Sequence, residues 1–171
     1  NTLQTSFPGL VDAIEFWNEY SIGNDTQGEA EYGSAANHVI RAFDSGFKAA
    51  GASGSSQPDI LIQMAEIFGK GSDYRGSGQH LSANNDIIDQ LSNQSKNAID
   101  GVVNHYYYNK RHDGDDQFAS DSLTSEIKSE TWHLYNKIDA WNTAWSQETG
   151  RGELDIHFTE WNVQKLNFDQ L

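Results

Sequence analysis

The chain has 171 residues, with 25 acidic and 11 basic side chains and a net charge of −14. That balance argues against nucleic acid or an anionic membrane as partner, because both need a basic surface, and it suits an uncharged substrate. With no cysteine there is no disulfide framework, thiol nucleophile or thiolate metal site. No run of 18 apolar residues is present to span a membrane.

Residues 1–10 are polar and contain Pro8-Gly9, a loop signal. Val11, Ala13, Ile14, Phe16 and Trp17 then form a short, apolar, aromatic-rich run that predicts a buried strand. The strand runs into Asn18-Glu19, an amide beside a carboxylate, followed by the turn formers Ser21, Gly23, Asn24 and Asp25. A carboxyl group where a buried strand opens into a loop has apolar walls behind it, which suits it to proton donation near neutral pH.

Residues 20–31 read as a loop and residues 35–50 as a helix. Val39, Phe43 and Phe47 recur every four residues with Ala36 and Ile40 beside them, Ser34 is the expected N-cap, and Gly51 the stop. Asp59 to Met64 is the second strand. A glycine-rich loop follows to about His80. Its two G-x-G spacings lack the rest of a phosphate-binding pattern. Residues 82–97 are expected to form a second helix, with Ile87, Ile88 and Leu91 inward. Residues 99–108 are the third strand, ending in His105-Tyr106-Tyr107-Tyr108. After a charged loop, residues 122–148 form a long third helix on which Trp132, Trp141 and Trp145 are packing residues.

The last strand is Leu154-Asp155-Ile156-His157-Phe158-Thr159-Glu160-Trp161-Asn162. Leu154, Ile156 and Phe158 alternate with Asp155, His157 and Thr159, and the strand again runs into a glutamate beside a tryptophan. Strands that alternate with helices lie parallel, joined by right-handed crossovers. In a parallel barrel, residues at the C-terminal strand ends share one face, where such folds keep their chemistry.

Phe16-Trp17-Asn18-Glu19 resembles the acid/base motif on strand 4 of clan A of the glycoside hydrolases. His157-Phe158-Thr159-Glu160-Trp161-Asn162 resembles the nucleophile motif on strand 7. The wording is closest to the β-xylosidase and α-L-iduronidase branch, with the arabinofuranosidase branch nearby. The resemblance implies that Glu19 is the general acid/base, that Asn18 binds the sugar 2-hydroxyl, and that Glu160 is the nucleophile of a retaining mechanism. It further implies that His105 contacts sugar or the acid/base, while Tyr107 hydrogen-bonds the nucleophile. His105 and Tyr107 are two residues apart, so they share a strand face. Trp17 and Trp161 are candidate walls of the sugar site, because sugars present C–H faces that stack on indole. Packing beneath the site is the competing role for Trp17, and His157 reads as a buried histidine with its hydrogen bonds satisfied.

A complete eight-unit barrel needs about 250 residues. The expectation is therefore one domain over residues 1–171, a partial (β/α)8 barrel of four parallel strands alternating with three helices, corresponding to strands 4 to 7. The rest of the barrel would come from the same longer chain. The expected partner is an oligosaccharide, polysaccharide or glycoside, with no cofactor and an extracellular location. No metal is assigned, because Asp113, Asp115 and Asp116 lack the glycine and glutamate that an EF-hand loop places after them. The rival reading is a carbohydrate-binding or adhesive module on a barrel that no longer turns over substrate. A metal-dependent hydrolase is disfavoured by the absence of an H-x-H or cysteine cluster.

Overall fold

The computed structural model describes residues 11–18, 20, 28–52, 57–65, 77–109 and 120–164, and only the backbone of 77–79, 106–109, 120–133 and 161–164. In chain order the elements are β1 (Ala13–Phe16), α1 (Glu29–Ala49), β2 (Asp59–Gln63), α2 (Ser77–Ile88), α3 (Asn93–Ala98), β3 (Gly101–Asn109), α4 (Ser120–Thr149) and β4 (Asp155–Gln164). The four strands form one sheet in the order β1-β2-β3-β4. Every neighbouring pair is parallel. Three helical crossovers join them, and the middle one contains two helices.

Alternation along each strand sorts the side chains. Ile60 and Ile62 of β2, Met64 just after it and Val102 of β3 enter the helix-side core with Tyr32, Ala36 and Ile40 of α1, Ile87 and Ile88 of α2, and Trp141 and Trp145 of α4. Burying side chains of this size contributes about 1.5–3 kcal/mol each. The α4 tryptophans stack with ring centres 6.0 Å apart, and the Arg151 guanidinium lies 5.5 Å over the Trp145 ring. These two tryptophans are packing residues, as their helical spacing suggests.

The first helix starts six residues before the point the sequence suggests. Gly28, not Ser34, is its N-cap, and the Gly28 N–H donates to the Glu31 carboxylate at 3.2 Å. The buried stripe runs Tyr32–Ala36–Ile40, ending at the carboxylate of Asp44. Phe43 and Phe47 pack at its margin. Val39 is only half-buried. At Gly33 the helix approaches α2 so closely that an added Cβ would lie 2.5 Å from the Ile87 carbonyl oxygen.

Residues 82–97 do not form one helix. The chain breaks after Ile88, Leu91 turns into the core, and Ser92 caps α3 by accepting from the Ser95 N–H. Asn37 of α1 holds this turn, accepting from the Ser92 N–H at 2.9 Å and the Ser95 hydroxyl at 2.7 Å. Gln94 of α3 donates to Asp44 at 2.9 Å, and Lys48 does so at 2.7 Å. Burial would push the Asp44 carboxyl up, but these two donors hold it below its ordinary value. Asp100, just before β3, accepts from the Ile60 N–H at 2.9 Å, yet burial keeps its carboxyl above the ordinary value.

Candidate active site

The face of the sheet away from the helices carries polar side chains toward the C-terminal ends of the strands. β1 is short and offers Glu15 there, between Ile14 and Phe16. β2 places Gln63 at its last position. The Gln63 amide donates to the Glu15 carboxylate at 3.0 Å and lies 3.4 Å from Nε2 of His105 on β3. The His105 ring is 2 % exposed, with Nε2 at 3.4 Å from Glu15 Oε1 and Nδ1 at 3.7 Å from Glu160 Oε2. One imidazole thus lies between two carboxylates from the two outer strands of the described sheet.

Simple alternation would not bring Glu160 here. It would place Glu160 on the same face as Leu154, Ile156 and Phe158, toward the helices. The ladder between β3 and β4 pairs Asn104 with Phe158 and then His105 with Glu160. Thr159 is the extra residue of a bulge, a device that re-aims a side chain within a strand. The shift puts Glu160 beside His105. Glu160 also lies within β4 rather than at its end, because the strand continues to Gln164. Further down the same face, Gly101 leaves room for the His157 ring. An added Cβ at Gly101 would lie 2.8 Å from His157 Nε2 and 2.8 Å from Leu61 Cδ2. His157 is half-buried rather than buried.

β1 stops where Trp17 takes a left-handed backbone with φ of 70°. For a bulky residue that conformation costs about 1–3 kcal/mol. It turns the chain out of the sheet and leaves the indole 43 % exposed, edge-on to Phe16 at 5.8 Å. Asn18 follows and is exposed. Tyr20 is fully buried and stacks on Tyr32 at 4.1 Å between ring centres. The Tyr32 hydroxyl donates to the Phe16 carbonyl at 3.2 Å and accepts from the Gln63 N–H at 2.9 Å. The ends of β1 and β2 are therefore linked through a side chain of α1.

Of the residues singled out from sequence, the structure brings His105 and Glu160 together, with Trp17 and Asn18 exposed at the end of β1. Glu19, the Tyr107 and Trp161 side chains, and Asp113, Asp115 and Asp116 lie outside the described residues. Glu15 and Gln63 were missed. Each is a polar residue interrupting or ending an apolar strand, which is the signal that marks them.

No sequence-family profile matches the chain, and no curated protein sequence does. Among solved structures, it is similar to AbfB, a family 51 α-L-arabinofuranosidase from Bifidobacterium longum, with a TM-score of 0.56 and 20 % identity. The fold is part of a (β/α)8 barrel. The similarity covers 87 % of this chain and 26 % of AbfB, so the chain spans about a quarter of that enzyme.

Proposed function

We propose that this chain is the central part of a retaining glycoside hydrolase of clan A, completed by the rest of a longer polypeptide. Glu160 beside His105, brought there by the Thr159 bulge, is the observation that carries the reading. Fold similarity to an arabinofuranosidase supports it. In this reading Glu160 attacks the anomeric carbon, and Glu19 protonates the leaving oxygen and later deprotonates water. Asn18 binds the 2-hydroxyl, Tyr107 hydrogen-bonds Glu160, and Trp17 and Trp161 stack on sugar rings. Retaining chemistry needs the two carboxyl groups about 5–5.5 Å apart. The substrates are oligosaccharides, polysaccharides or glycosides, with terminal α-L-arabinofuranosyl and β-xylosyl groups the first to try. Polymeric substrates imply a secreted enzyme.

The test is azide rescue in the full-length protein on aryl glycosides of those two sugars. Glu160→Gln removes the nucleophile and abolishes turnover. Azide then gives a glycosyl azide of inverted configuration. Glu19→Gln keeps the first step on activated aryl glycosides, because their leaving group needs little protonation. Its covalent intermediate accumulates, and azide releases a glycosyl azide of retained configuration. The opposite pattern exchanges the two roles. Sugar binding without turnover in the unaltered protein would favour the carbohydrate-binding module.

A further inference from the structure

We propose that Glu15 is a positioning residue, holding the His105 ring by its Nε2 side so that Nδ1 stays on the Glu160 carboxylate. This rests on the reading of Glu160 as the nucleophile. Three observations carry it. First, the His105 ring is almost fully buried and meets Glu15 at 3.4 Å and Glu160 at 3.7 Å through different nitrogens. An imidazole has one polar atom on each side. A half-turn of the ring would put carbon where each nitrogen now stands, and Glu15 opposes that turn.

Second, Glu15 is itself held. The Gln63 amide donates at 3.0 Å to the same oxygen that faces His105. Gln63 lies on β2, between β1 and β3. The sequence Glu15–Gln63–His105–Glu160 therefore crosses all four strands side by side. Third, the bulge that turns Glu160 toward His105 occurs at the step where His105 pairs. The line of contacts and the irregularity in the ladder thus converge on the same ring. Glu15 makes no contact with the reacting atoms in this scheme; it acts through His105.

The test compares Glu15→Gln with the unaltered full-length protein. The substitution keeps the shape and an acceptor for Gln63 while removing the carboxylate. Two readouts are used: kcat and KM on an aryl glycoside, and the ring-nitrogen chemical shifts of His105 by NMR. The expected result is a kcat lower by on the order of 10- to 100-fold, as misplacing a reacting group does. KM should stay within about threefold and the His105 shifts should move. In a His105→Asn background, Glu15→Gln should change kcat no further, because the link it acts through is gone. Unmoved His105 shifts, or an unchanged kcat in an active enzyme, would overturn the proposal. If the unaltered protein hydrolyses no glycoside and the shifts still move, Glu15 is upheld as the holder of His105 and the glycosidase reading fails.

Discussion

Helix α1 contains two glycines that predict opposite outcomes for the same substitution. Gly33→Ala puts a methyl group 2.5 Å from the Ile87 carbonyl oxygen, 3.0 Å from its Cα and 3.1 Å from Gln90 Cβ. Ordinary contact begins near 3.4 Å, and a backbone carbonyl cannot rotate aside, so α1 and α2 must separate by about 1 Å. That retreat loosens Tyr32, Ala36 and Ile40 from Ile87 and Ile88. Overpacking of this kind costs about 1–3 kcal/mol, and a backbone obstacle places it at the upper end. Alanine returns about 1 kcal/mol of helix propensity, leaving a net loss of about 1–2 kcal/mol. Gly46, in the same helix, has nothing within 4 Å of its added Cβ. There the propensity gain is unopposed, and Gly46→Ala should stabilise by about 0.5–1 kcal/mol. Urea unfolding followed by tryptophan fluorescence measures both. At this size each kcal/mol shifts the melting temperature by about 2–4 °C. A Gly33→Ala variant as stable as Gly46→Ala would refute the close crossing of α1 and α2.

Gly101→Ala should displace the His157 ring or the Leu61 side chain and cost about 1–3 kcal/mol, read by urea unfolding. Asp44→Ala should destabilise by about 1–3 kcal/mol at pH 7, by leaving Gln94 and Lys48 without their acceptor. The Asp44 carboxyl is held below its unfolded value, so its stabilisation is present above pH about 4. The gap between variant and parent should close as pH falls through the folded value. Asp100 has the reverse sign: its raised folded value means that stability falls as pH rises from about 4 toward that value. Asp100→Asn, which can still accept from the Ile60 N–H, should match or exceed the parent's stability at pH 7 and fall behind it in acid.

The strands were legible because β1, β2 and the start of β3 are short apolar runs and β4 alternates apolar with polar residues, and their alternation with helices was enough to make the sheet parallel. Helix starts were less legible. Tyr32 extends the buried stripe a full turn beyond Ala36, but one aromatic beside Glu29 and Glu31 reads equally well as loop. The break after Ile88 depends on Asn37, which is distant in sequence and supplies the acceptor for Ser92 and Ser95. In the candidate site, Glu160 stood out by its context, yet strict alternation points it at the helices. Only the pairing of β4 with β3 reveals the extra residue. Glu15 and Gln63 carry no motif of their own, and only the pairing of the four strands brings them into one line with His105 and Glu160.

The bulge at Thr159 makes the direction of the Glu160 carboxylate depend on where the strand takes up its extra residue. Substituting Thr159 with another side chain of ordinary backbone freedom keeps the bulge, and therefore the direction. Deleting that one residue restores an unbroken ladder in which Glu160 still pairs with His105 and stays on the same face of the sheet. What would turn the carboxylate toward the helices is a straightened strand that keeps Thr159 and pairs it with His105. Between diverging copies of such a barrel, a chain with the bulge and a chain one residue shorter at Thr159 would therefore present the carboxylate to the histidine alike.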